Sequence, residues 1–216
     1  MVQEGAEAEG FVFPLDLGAS GSATIGGAIS KNAGGNRVIR YRMMRNLVLG
    51  LEVVPADGTV LSSLNRMLKN NAGYDLKQLF IGTEGPLEIV TRAVLRIFPR
   101  PSSETLALVA VQQFDHLPAL LNRMDRSLGG TLSSFEIMWK DFYDLVTGEG
   151  GHNAPIATGR PFYVLIEALG SDPEADKERF ETALLSAQGD GLFVDGAIAM
   201  SAKQRQEMWA IRDGVG

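Results

Sequence analysis

The 216-residue chain contains no cysteine. This excludes disulfides, thiolate nucleophiles and thiolate metal centres together, and it leaves the redox compartment open. Histidine is nearly as scarce. Only His116 and His152 occur, which argues against a multi-histidine metal site within the chain, and both read as surface positions. Long apolar runs are missing: stretches such as Leu106–Val111 fall far short of the roughly 20 residues a membrane-spanning helix needs. The opening MVQEGAEAE is acidic and has no apolar leader core, so the expected compartment is the cytoplasm. Positive charge is in deficit, with 20 Lys and Arg against 26 Asp and Glu, a net charge of −6. With no polybasic tail, nucleic acid is not an expected partner.

Glycine is abundant, and it is concentrated. Six of the eighteen residues from Gly18 to Gly35 are glycine, and most of the rest are small. Such a stretch buries little apolar surface, but it lets backbone N–H groups approach a ligand closely. From Leu17 to Leu51 the only charges are five cations, Lys31, Arg37, Arg40, Arg42 and Arg45. A glycine-rich, cation-flanked loop in an acidic protein suits a phosphorylated or carboxylated small molecule. The bland alternatives are a glycine-rich connector and a solvated cationic face, from which Lys31 and Arg45 stand out as the better binding candidates.

Element signals divide the chain near Pro99-Arg-Pro101. Before it, a short Ala- and Glu-rich helix is expected over residues 2–9 and an extended piece at 11–13. Strands at 46–54 and 59–61 are joined by an Asp57-Gly58 turn, a helix starts at Asp75, and a long strand covers 87–98. After it the order is β-α-β-β-α-β: strands at 104–113, 132–139, 162–169 and 193–200, and helices at 115–128 and 173–187. This is the split βαβ, ferredoxin-like order. A short helix at 141–146 is extra to that plan, and a last helix covers 201–212.

Seven runs stand in register: FPLDLGA (13–19), TIGG (24–27), NAGG (32–35), VLGLEVV (48–54), ADGT (56–59), YDLKQLF (74–80) and IGTEG (81–85). Together they resemble the FAD-linked oxidases of the vanillyl-alcohol-oxidase flavin fold, in the branch of the glycolate oxidase D-subunit, D-lactate dehydrogenase and D-2-hydroxyglutarate dehydrogenase. The resemblance implies an α+β fold. Residues 1–100 would be the second half of an FAD-binding domain, lacking its N-terminal pyrophosphate-loop subdomain, and 101–216 a partial ferredoxin-like substrate domain. It implies FAD contacts from Gly18, Ala19, Ser22, Thr24, Gly26 and Gly27, from Lys31, Asn32, Ala33 and Gly34, and from Glu84, Gly85, Leu87, Ile89 and Val90. Phe135–Trp139 resembles the first strand of the substrate domain, although core packing is the simpler role for both aromatics. In Trp209-Ala-Ile-Arg212, Arg212 would pair with a substrate carboxylate; favourable placement at a helix end is its plainer role. No catalytic residue and no metal ligand is expected within the chain. A divalent metal, on this resemblance, belongs to a His- and Glu-bearing element beyond residue 216.

Three positions depart from the family pattern. Pro86 and Glu88 stand where it has Thr and Gly, and Arg42 where it has Gly. A Glu beside a dinucleotide is expected to add bulk and negative charge near phosphates. The implied function is oxidation of a 2-hydroxy acid by hydride transfer to flavin, with this chain an internal part of the enzyme. The alternative is a non-catalytic, degenerate flavin-binding module. Expected partners are the 2-hydroxy acid and FAD, with either a second copy or a complementing subunit covering exposed strands around 46–61 and 87–98.

Overall fold

In the computed structural model, which describes residues 2–17 and 21–214, the chain separates between Arg100 and Pro101 into two units.

In the first unit, helix α1 (Val2–Ala8) leads to strand β1 (Phe11–Val12). Three short helices follow, α2 (Ile25–Ser30), α3 (Val38–Tyr41) and α4 (Met44–Leu47). Strands β2 (Val48–Pro55), β3 (Leu61–Ser63) and β4 (Glu88–Leu95) form an antiparallel sheet in the order β3-β2-β4. The Asp57-Gly58 turn joins β2 and β3 as expected, with the Gly58 N–H donating to Pro55 O and the Thr59 N–H to Asp57 Oδ1. Those bonds hold Thr59 in the turn, so β3 starts two residues later than the sequence suggests. Asn46 and Leu47 belong to α4 rather than to the strand. The strand expected over 87–98 is broken, because the Arg96 N–H leaves the sheet for Leu47 O. Phe98–Pro99 then forms β5, which pairs with β1. Phe13, Leu15, Ile29, Met44, Leu47, Leu51, Val53 and Ile81 make the core. Gly35 is required by a backbone crossing: a Cβ there would lie 2.4 Å from Asp16 O.

The second unit carries β6 (Ser103–Val111), α5 (His116–Leu128), β7 (Leu132–Trp139), α6 (Lys140–Val146), β8 (Phe162–Gly170), α7 (Pro173–Gly189), β9 (Asp195–Ile198) and α8 (Ala202–Asp213). The sheet order is β7-β8-β6-β9, antiparallel throughout. Each parallel pair, β6 with β7 and β8 with β9, has one strand inserted between its members, the split βαβ arrangement. Leu120, Met124, Phe180 and Leu184 of α5 and α7 pack on one face against Val109, Val164 and Ile166. On the other face, Tyr143 and Val146 of α6 and Met208 and Ile211 of α8 cover Leu106, Leu108, Tyr163 and Leu165. The extra helix and the last helix therefore close a face that the minimal plan leaves open. This is why β8 is buried at all nine positions and reads as a continuous apolar run rather than an alternating one.

Candidate functional site

Gly18 and Ala19 lie outside the described residues. The other residues named above for the cofactor lie along α2 and at both of its ends. Thr24 caps this helix, its Oγ1 accepting from the Gly27 N–H at 3.0 Å. At the other end the chain turns through Asn32, whose φ of 47° is in the left-handed region that Asn tolerates. The Asn32 Oδ1 accepts from the Arg45 N–H at 2.9 Å, and Ala33 O accepts from the Met44 N–H. The third run then hooks onto the same helix end. The Gly82 N–H donates to Ile29 O, and the Glu84 N–H donates to Ser30 O at 2.8 Å. The Lys31 ammonium stands 3.9 Å from the Glu84 carboxylate, both side chains over 70% exposed, so the pair contributes at most about 1 kcal/mol. Lower down, a Cβ on Gly26 would meet Val90 O at 3.7 Å, which places α2 directly over β4.

Runs some sixty residues apart thus form one surface, on which Gly27, Lys31, Gly34, Glu84, Gly85, Leu87 and Ile89 are exposed. Beside it, Gly21, Thr24, Ile25 and Ala28 line a cleft of about 350 Å³ together with Val2, Leu15 and Leu17. A larger cleft of about 510 Å³ lies elsewhere in the unit, bordered by Arg45, Asn65, Tyr74, Lys77 and Arg96. It includes none of the glycine-run residues.

Three residues behave differently from their sequence reading. Arg45 donates from Nη1 to Gln78 O and Oε1, both at 2.8 Å, and from Nη2 to Ile81 O. It thereby fastens the turn after residue 75 and spends its fork on the protein itself. The Asp75 side chain does not cap the short 3-10 helix Leu76–Leu79. It accepts instead from Lys77 and Gln78, and the bond from Lys77 holds its carboxyl below the usual range. Glu88 is turned inward: it is 5% exposed, its Oε1 accepts from Thr83 Oγ1 at 3.0 Å, and its Oε2 is buried with no partner among the described residues.

In the second unit Arg212 ends α8 and crosses to β7. Its Nε donates to Glu136 Oε2 at 3.0 Å, its Nη2 lies 2.9 Å from the same oxygen as an ion pair, and its Nη1 donates to Asp213 Oδ1 at 3.0 Å. Burial works against its charge, and the two carboxylates outweigh this, raising its pKa. One turn earlier, Trp209 Nε1 donates to Oε1 of the wholly buried Glu167, whose Oε2 accepts from Ser133 Oγ at 2.6 Å. Sequence reasoning missed Glu136 and Glu167. The signal was present for Glu167, a lone charge inside the apolar run FYVLIEALG. Phe135 is partly buried, whereas Trp139 is 57% exposed and stacks on Phe114 rather than entering the core. Among the described residues no three His, Asp or Glu side chains form a group that could hold a metal, and no helix is long and apolar enough to cross a membrane.

Known proteins are similar to this chain, some in sequence and others in fold. Residues 1–63 match the family described as "FAD binding domain", and residues 100–215 match "FAD linked oxidases, C-terminal domain". The D-2-hydroxyglutarate dehydrogenase of Arabidopsis thaliana, named as mitochondrial, is 45% identical over 210 residues, 97% of this chain and 38% of that protein. Its counterpart from Bos taurus is 43% identical over 209 residues, with the same coverage of both. The D-2-hydroxyglutarate dehydrogenase of Stutzerimonas stutzeri is 37% identical over 215 residues, 98% of this chain and 45% of that one. The chain thus spans less than half the length of these relatives. Among solved structures, an alkyldihydroxyacetonephosphate synthase superposes with a TM-score of 0.72 at 16% identity, covering 98% of this chain and 41% of that one. The two share their fold.

Proposed function

The chain belongs to the family of FAD-linked oxidases, and we propose that it forms part of an oxidoreductase that oxidises a 2-hydroxy acid of the D-lactate, glycolate or D-2-hydroxyglutarate type. The first unit holds FAD and the second holds the substrate carboxylate. FAD supplies the acceptor for the hydride leaving C2 of the substrate. The chain's own residues bind and orient. Backbone from Gly18 to Gly27, from Lys31 to Gly34 and from Glu84 to Val90 follows the cofactor, with the Ser22 and Thr24 hydroxyls beside it. Arg212 offers a planar fork that matches a carboxylate.

The observation that carries this reading is the convergence at α2, where Glu84 bonds Ser30 and Gly26 meets Val90. The approach to this surface is open: a Cβ on Gly85 would meet nothing within 4 Å, and the cleft at Gly21 and Thr24 is next to the same helix. The test is a visible absorbance spectrum of the chain after incubation with FAD and desalting. A retained flavin band is expected.

A second reading, a degenerate flavin-binding module, draws on Glu88 and Arg42. Glu88 brings an unpartnered buried oxygen into a proposed contact run, and Arg42 has φ 69° and ψ −172°, a conformation that suits glycine. Under this reading the native chain shows no band, and Glu88→Gly with Pro86→Thr restores it. A band in neither protein overturns the second reading and leaves FAD retention to the pyrophosphate-loop subdomain that the family pattern places before these residues.

Association with a second copy or a complementing chain belongs to the same proposal. It is motivated by the exposed Val60, Leu61, Leu64, Met67 and Leu68, and a monodisperse monomer by light scattering would count against it. A cytoplasmic location also belongs to this proposal, to be checked by cell fractionation.

A further inference from the structure

Arg212 does not present a free fork. Its Nε donates to Glu136 Oε2 at 3.0 Å, its Nη2 stands 2.9 Å from the same oxygen as an ion pair, and its Nη1 bonds Asp213 at 3.0 Å. The cluster therefore carries one positive and two negative charges. All three side chains are between a quarter and a half exposed, so their fields are only partly screened by water. An arriving carboxylate meets a guanidinium whose charge is already outweighed. The geometry is also informative in a positive sense, because a carboxylate is seated on the edge of the fork that a substrate carboxylate would use.

We infer that Glu136 is an internal occupant of the Arg212 carboxylate site, which an anionic ligand must displace, so that Glu136 sets how strongly the site takes a carboxylate. This rests on the reading of Arg212 as the carboxylate-binding residue. Two features favour displacement over simple orientation. Glu136 bonds through one oxygen, Oε2, rather than by the two-oxygen fork that locks such pairs most firmly. And α8 has further attachments besides this pair, Met208 and Ile211 in the core and the bond from Trp209 to Glu167.

The test uses the full 216-residue chain labelled uniformly with 15N. The Arg212 Nε–Hε signal is identified by its loss in Arg212→Lys, and sodium D-lactate is titrated against sodium chloride at equal ionic strength. Glu136→Gln keeps the shape and one acceptor but removes the charge. It is expected to lower the dissociation constant for D-lactate at least tenfold, and to speed exchange of the Nε–H with water. Asp213→Asn should act in the same direction but more weakly, because it frees one donor only. Should Glu136→Gln fold poorly, Glu136→Asp, which draws the carboxylate back by one methylene, is expected to shift the constant the same way. An unchanged or weaker D-lactate affinity in Glu136→Gln overturns the inference and makes Glu136 an orienting partner or a bystander. Failure of the underlying reading is distinct: backbone amides at the end of α8 would then titrate alike in Arg212→Lys and in the native chain.

Discussion

Trp209 on α8 donates its indole N–H to Oε1 of Glu167 on β8 across 3.2 Å. Glu167 is 0% exposed. A buried carboxylate is least costly when its oxygens are bonded, and here one oxygen is met from α8 and the other by Ser133 on the neighbouring strand. The last helix is therefore held in register by a polar anchor as well as by Met208 and Ile211.

Trp209→Phe keeps an aromatic ring in place and removes the donor, at the cost of the five-membered ring's volume. Leaving one oxygen of Glu167 without this bond should lower the stability of the second unit by about 1–3 kcal/mol. Urea unfolding followed by circular dichroism measures it, and a loss below roughly 0.5 kcal/mol would show that the bond contributes little.

Tyr143 supplies a pH prediction. Burial among apolar neighbours pushes its phenol up to about 12 from an ordinary value of 10.0, and its O–H donates to Ile156 O. The folded state keeps the proton where the unfolded chain has lost it, so stability falls with rising pH across that window. It is fully present below pH 10 and is lost on approach to 12. Tyr143→Phe should flatten this dependence in denaturation series at pH 9, 10 and 11.

Arg42 occupies a region of backbone space used almost only by glycine, with φ 69° and ψ −172°. Holding a side chain there costs on the order of 1–3 kcal/mol. Arg42→Gly should therefore stabilise the first unit, by about 1 kcal/mol once the greater freedom of glycine in the unfolded chain is subtracted. A lower midpoint of urea denaturation would contradict this.

Gly35 makes the opposite case. A methyl group there would sit 2.4 Å from Asp16 O and 2.8 Å from Asp16 N, both backbone atoms that cannot swing away. Gly35→Ala should destabilise the first unit by about 1–3 kcal/mol or prevent its folding. Thermal melts of the two proteins side by side decide the matter.

Much of this was legible in the chain itself, for identifiable reasons. Asp172 and Pro173 mark the start of α7, and Gly129 stops α5 in a left-handed conformation. Local signals of this kind need no knowledge of distant residues. The βαββαβ order followed from periodicity, and the glycine-type position at Arg42 was visible as a departure from a pattern.

Less legible were the places where one element answers another. Arg45 reads as a ligand cation until the turn at Gln78 and Ile81 is folded against it. The strand over 87–98 reads as continuous until Phe98 finds β1. Arg212 reads as a free fork until β7 brings Glu136 beneath it.

The sequence by itself determined the glycine-rich runs, the Asp57-Gly58 turn and the strand and helix order of the second unit, but not the short helices α2, α3 and α4, because propensity, periodicity and turn chemistry act over a few neighbouring residues. Only the tertiary structure decided which charges are spent internally and which surface the separated runs share. Those outcomes depend on pairing between residues dozens of positions apart, such as Glu84 with Ser30 and Arg212 with Glu136. Hydrogen bonds and burial create these pairings only once the chain has folded.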